Sequence, residues 1–209
     1  LVFLNSLLAS GREEEALKWV PRERAGQAGQ AGAMIYGREA DGRFILVADA
    51  DGDMWDEQMP VCCVNWHCAE AYCRWKSEES GLSYRLPSDL EWEKSAKGVD
   101  GRFYVWGDGF DPSYCCMVDS HQGRRLPVGV NSYPIDESVY GVRGLGGNML
   151  DWTSSHYRKD WSAEEDTSGR VYRGGSWNYT AWNARSSRRI YYDPSDSSYT
   201  LGFRFLRKK

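Results

Sequence analysis

No stretch of this 209-residue chain supplies the roughly 18 to 20 uninterrupted apolar residues that a membrane-crossing helix needs, because a charge, glycine or proline breaks every hydrophobic run within about ten positions. Spanning helices are not expected. The chain also lacks a glycine-rich phosphate loop, a serine-centred elbow and an H-E-x-x-H pattern, which removes the commonest nucleotide, acyl-transfer and zinc-protease chemistries. Its six cysteines, Cys62, Cys63, Cys68, Cys73, Cys115 and Cys116, form no C-x-x-C, and no histidine stands at metal spacing from them, so a zinc site is not expected. They read as small core residues. Their redox state stays open, since an even count allows disulfides in an exported protein and a domain of this size does not need them. His67, His121 and His156 are isolated from one another and read as structural imidazoles. Leu1 to Ser10 shows neither the basic start nor the small-residue cleavage site of a secretory signal, so the export route is not legible.

What is present points to one folded domain spanning residues 1–209. Ten Trp, thirteen Tyr and six Phe argue against disorder, and a formal charge of -4 argues against a surface built wholly for nucleic acid. Charge is uneven, however: residues 1–60 hold eleven acids and six bases, whereas residues 169–209 hold nine bases and two acids. The acidic run Asp49, Asp51, Asp53, Asp56 and Glu57 imitates an EF-hand opening, but Met54 and Pro60 occupy the positions where that loop needs Gly and Glu. A solvated acidic loop is expected.

Two helices are marked by their ends. Asn65 caps a segment with Ala69, Tyr72, Cys73 and Lys76 at helical spacing that stops near Gly81, and Ser88 with Glu91 forms a capping box for a second that stops at Gly98. Beyond residue 100 the chain turns to Gly, Pro, Asn, Ser and aromatics, with short β-like runs at Phe103–Trp106, Val171–Arg173 and Gly202–Leu206.

Seven blocks then stand in a familiar order. They are Pro60 with Val64-Asn65-Trp66, Ala69 and Tyr72-Cys73; Arg85-Leu86-Pro87-Ser88 with Glu91-Trp92-Glu93 and Ala96; Trp106-Gly107-Asp108; Gly141-Val142; Gly146-Gly147-Asn148 with Asp151-Trp152-Thr153; Arg173-Gly174-Gly175-Ser176-Trp177; and Gly202-Phe203-Arg204. The sequence thereby resembles the formylglycine-generating (sulfatase-modifying) enzyme family. The resemblance implies an α+β fold, the loop-rich variant of the C-type lectin fold, with about two main helices and short strands. Leu1 to Leu8 looks like a family helix entered part-way, which implies that the fold's first strand lies outside this sequence.

The resemblance does not carry the chemistry with it. In the cysteine-oxidising enzymes the copper-binding thiols follow the Arg-Gly-Gly-Ser block, yet here no cysteine follows Cys116 and Tyr179 stands roughly where the first thiol would be. The related sulfoxide synthases take iron from histidines on a separate helical domain that this sequence does not contain. A non-enzymatic protein is expected.

Residues 178–200 carry the remaining signal. Five of these 23 residues are Tyr or Trp and five are Ser, while Glu, Lys, Gln and Met are missing, a mixture suited to binding surfaces because aromatics give rigid contact area and small polar residues give adaptable hydrogen bonds. With no sustained period of 2 or 3.6, the segment is expected to be irregular and exposed. It is also similar to the variable region of diversity-generating retroelement target proteins, where randomised asparagine codons with a fixed pyrimidine never yield those four residues or tryptophan. Trp182 departs from that rule. The resemblance assigns ligand binding to Tyr179, Thr180, Trp182, Asn183, Arg188, Ile190, Tyr191, Tyr192, Asp193, Asp196, Ser198, Tyr199 and Thr200, with Arg188 and Asp193 choosing charge complementarity. It also leaves Trp177, Arg185, Pro194 and Gly202-Phe203-Arg204 as scaffold.

The expected function is therefore that of a display domain binding a protein or other macromolecular ligand, with no membrane span and no nucleic-acid partner. By resemblance alone it would sit on a cell surface or phage particle. No cofactor is expected to be required; Asn148 and Asp151 are candidate ligands of a structural calcium, against loop hydrogen bonds as the alternative. Two rival readings stand beside this one: a family oxidoreductase with altered chemistry, and a polyanion binder using the basic tail, although Arg173, Arg185 and Arg204 belong to motifs and read as structural.

Overall fold

The computed structural model describes residues 1–23, 32–49, 51–158 and 166–208. Phe3, Leu4 and Leu7 recur at helical spacing and are buried on one side of α1 (Val2–Ala9), which packs with α2 (Glu13–Trp19). After the two-residue hairpin strands β1 (Gly37–Arg38) and β2 (Phe44–Ile45) comes the longest helix, α3 (Trp66–Ser80). Its ends follow the sequence reading: the Asn65 side chain accepts from the Cys68 N–H, and Gly81 closes it in the left-handed conformation. Strand β3 (Tyr84–Arg85) leads into α4 (Asp89–Lys97), where the Ser88–Glu91 capping box forms in both directions.

From residue 98 onward the described chain has no α-helix, only 3₁₀ turns at Val118–Ser120 and Ala181–Ala184. The Phe103–Trp106 run is a correction: Tyr104 and Gly107 bond to each other across a tight turn, Gly107 taking a positive φ, and no strand forms there. A four-stranded sheet follows, made of β4 (Leu150–Tyr157), β5 (Asp166–Arg173), β6 (Ile190–Tyr192) and β7 (Leu201–Phe203), in the order β6-β5-β4-β7. β4 pairs antiparallel with β5 and parallel with β7, while β8 (Leu206–Arg207) returns to pair with β3.

The sheet is covered on both faces, which explains the continuous buried run that opens β4 where a half-exposed strand would alternate. On one face Ala69 and Cys73 of α3 meet Leu86, Leu150, Trp152, Tyr172 and Leu201; on the other, Trp92 and Ala96 of α4 pack with Val105 and Leu145. Fully buried Trp92 and Trp152 direct their indole N–H groups to Asp151 and the Val64 carbonyl. All six cysteines are buried free thiols, Cys73 in the first of these cores. Among the described residues, no helix is long and apolar enough to cross a membrane.

Candidate functional site

The platform for the candidate segment is ionic. Arg173, at the end of β5 and fully buried, pairs with Asp89 and Glu93 of α4 and donates to the carbonyls of Ser186 (3.2 Å) and Arg188 (3.0 Å). Asp89 also pairs with Arg189 at 2.5 Å. One arginine therefore ties α4 and β5 to the segment, and its motif role is structural, as read from the sequence. Arg204 likewise pairs with buried Asp151 at 2.6 Å and donates to the carbonyls of Arg143 and Gly144.

On that base, residues 178–200 run as a turn, a 3₁₀ helix, an extended passage, strand β6 and a final turn. Trp182, Tyr199, Tyr191 and Tyr192 are 65%, 55%, 43% and 39% exposed, and Thr180, Asp193 and Asp196 are exposed as well. Each large ring is nevertheless propped. Tyr191 stacks on Tyr157 with centroids 4.1 Å apart, Tyr192 on Tyr172 at 5.0 Å, and Tyr199 leans on Trp177 at 5.7 Å, while the Arg185 guanidinium lies 3.2 Å from the Trp182 ring centroid. A Cβ at Gly169 would stand 2.5 Å from the Tyr191 ring, so the glycine is what lets that ring lie over β5.

Several expectations for the segment are corrected. Ile190-Tyr191-Tyr192 is not irregular: it is an edge strand, with Val171 opposite Tyr191 and Tyr172 opposite Ile190. Ile190 and Tyr179 are partly buried against the α3 core. Burial and the neighbouring Tyr192 raise the Tyr179 phenol above its ordinary value. Arg188 is half-buried over the Tyr179 ring at 5.4 Å, and desolvation lowers its pKa, so it is not a solvent-facing charge selector. Thr200 is only 4% exposed, because its N–H and hydroxyl meet the Ser198 hydroxyl while its carbonyl accepts from Leu150. Asn183 and Ser198 are half-buried. The sequence reading missed Tyr157, Tyr172, Asn178 and Ser197; the first two lie on distant strands, and nothing local marks them.

Tyr179, Tyr192, Asp196, Ser198, Tyr199 and Thr200 come together around one concavity of about 210 Å³. The Asp193 carboxylate beside it is held below its ordinary pKa by the hydroxyl and N–H of Ser195.

The remaining candidates, Asn148 and Asp151, both make internal hydrogen bonds. Asn148 spends its side chain on Val128, accepting from the N–H at 3.0 Å and donating to the carbonyl at 2.8 Å. Asp151 gives one carboxylate oxygen to both Trp92 and Arg204. Burial raises its pKa, and that guanidinium opposes the rise. Both side chains are thus engaged in hydrogen bonds within the protein. In the acidic loop, Asp49 accepts from the N–H groups of Asp51 and Asp53, and Arg124 pairs with both of the latter. No group of three or more His, Cys, Asp or Glu able to hold a metal exists among the described residues. Burial also pushes the Cys68, Cys73 and Cys116 thiols up to about 12, away from the thiolate form that metals and substrates need.

The sulfatase-modifying factor enzyme 1-like domain family matches residues 48–209, and the chain belongs to that family. It is 32% identical over 210 residues to the inactive C-alpha-formylglycine-generating enzyme 2 of Bos taurus, covering 94% of this chain and 60% of that protein. It is also 32% identical over 171 residues to the formylglycine-generating enzyme of Streptomyces coelicolor, covering 69% of this chain and 51% of that protein. The chain thus spans about half to three fifths of these relatives. Among solved structures, variable protein 1 of Treponema denticola superposes with a TM-score of 0.65 at 21% identity, covering 76% of each chain. The α+β, C-type lectin-like fold expected from the seven blocks is therefore the fold of this protein.

Proposed function

We propose that this protein is a non-catalytic member of its family that displays residues 178–200 as a surface for binding other macromolecules, in the manner of a retroelement-diversified variable protein. The observation that carries the reading is the combination of exposure and support at Trp182, Tyr191, Tyr192 and Tyr199: four large aromatic rings face solvent, each braced by a neighbour from the scaffold. Aromatic anchors held rigid before contact lose little entropy on binding, which is what a protein-binding hot spot requires.

Tyr179 gives the second support. In sequence it stands roughly where the cysteine-oxidising enzymes have their first thiol, its side chain is half-buried, and no cysteine follows Cys116. A relative named as inactive and a fold neighbour named as a variable protein fit the same reading. The basic tail argues little for a polyanion partner, since Arg173, Arg189 and Arg204 are spent on internal carboxylates.

Sequencing the gene from sibling isolates tests the proposal. Substitutions concentrated at the exposed positions of 178–200, with Arg173 and Arg204 constant, are expected; changes scattered over the whole chain would overturn it.

A further inference from the structure

The concavity described above has a definite chemistry. Tyr179, Tyr192, Tyr199 and Asp196 line it together with Ser198 and Thr200, whose hydroxyls join 3.0 Å apart. No basic residue lines it. Asp196 makes no ion pair among the described residues; Asp193, whose carbonyl accepts the Asp196 N–H, is exposed outside the lining, its carboxylate bonded to Ser195 and held below its ordinary pKa. Arg188, the guanidinium beside Tyr179, is outside the lining.

Resting on the display reading, we infer that this concavity receives the cationic head of a lysine or arginine side chain of a partner polypeptide. Aromatic π-faces attract cations, and the attraction grows where water is excluded; an unpaired carboxylate at the same opening supplies the counter-charge. A volume of about 210 Å³ suits one side-chain head and its adjoining methylenes, below the usual range for drug-sized ligands. Two walls are fixed in advance, Tyr192 by its stack on Tyr172 and Tyr199 by its contact with Trp177, so the cage need not be assembled on binding. The other class of ligand, an anion reaching past Tyr179 to Arg188, would meet Asp196 in the lining and no basic residue there.

The test uses small probes on the full chain, followed by nuclear magnetic resonance at the tyrosine rings. N-acetyl-arginine amide and N-acetyl-lysine amide should saturate the shifts of Tyr179, Tyr192 and Tyr199. The neutral isostere N-acetyl-citrulline amide should bind roughly tenfold more weakly, and Asp196→Asn should weaken the cationic probes several-fold without changing the melting temperature. Citrulline binding as well as arginine, acetate binding in preference to either, or Asp196→Asn leaving affinity unchanged would each overturn the inference. Were any of these found while sibling isolates vary only within the exposed patch, the cation preference alone would fall and the display reading would stand.

Discussion

At the residue scale, Arg173 carries more of the architecture than any other side chain near the site. It is fully buried, paired with two carboxylates and bonded to the carbonyls of Ser186 and Arg188 in the middle of the segment. Arg173→Ala leaves Asp89 with Arg189 as its cation and strands both carbonyls, so a loss of about 3–5 kcal/mol in urea unfolding is expected; a loss below about 1 kcal/mol would contradict the role. Asp136 offers a pH signature. Burial raises its carboxyl from 3.8 to about 6, against the N–H groups of Gly146 and Gly147 that favour the charge. A raised folded-state pKa stabilises the fold in the protonated form, so this contribution is complete below about pH 4 and lost as pH rises through about 6. Relative to Asp136→Asn, the wild type should lose about 3 kcal/mol of stability between those limits, and a flat difference would contradict it.

At the scale of elements, β6 is the hinge between scaffold and surface. Three residues pair with β5 and carry two of the exposed rings, and Gly169 beneath Tyr191 sets how closely the ring can lie. Gly169→Val should push Tyr191 off Tyr157, cost about 1–3 kcal/mol, and speed amide exchange at Tyr191 and Tyr192. Tyr191→Ala should cost only about 1 kcal/mol, the worth of one aromatic stack. Equal costs for the two, or unaltered exchange, would mean the ring is not held by that approach.

This strand also shows where sequence reading stops. The caps at Asn65, Ser88–Glu91, Gly81 and Gly98 were legible because both partners lie within four residues. Ile190–Tyr192 was not, because three residues are too few to show a period and their pairing partner lies some twenty residues upstream. The same holds for the site. Exposure of Trp182, Tyr191, Tyr192 and Tyr199 was readable from composition, whereas burial of Thr200 and the half-burial of Tyr179 and Arg188 depend on Leu150, the α3 core and Tyr172, all remote in sequence.

At the scale of the molecule, fold and display surface are carried by different residues. The cores are built from Trp92, Trp152, Leu150, Leu201 and the helices that cover the sheet; Tyr179 and Ile190 pack against them, whereas Trp182, Tyr191, Tyr192 and Tyr199 are exposed. Truncating Trp152 should cost about 3–5 kcal/mol, as other buried tryptophans do. Trp182→Ser should stay within about 1 kcal/mol, losing little beyond its contact with Arg185. That separation is what allows one scaffold to present many surfaces.

The most direct measurement is a library randomised together at Trp182, Tyr191, Tyr192, Asp193, Asp196 and Tyr199, sorted first for folded protein and then for binding to a panel of unrelated target proteins. Most members are expected to fold with melting temperatures near that of the parent, and different targets to recover different sequences. A library in which most members unfold, or from which no target recovers a specific binder, would contradict the display reading.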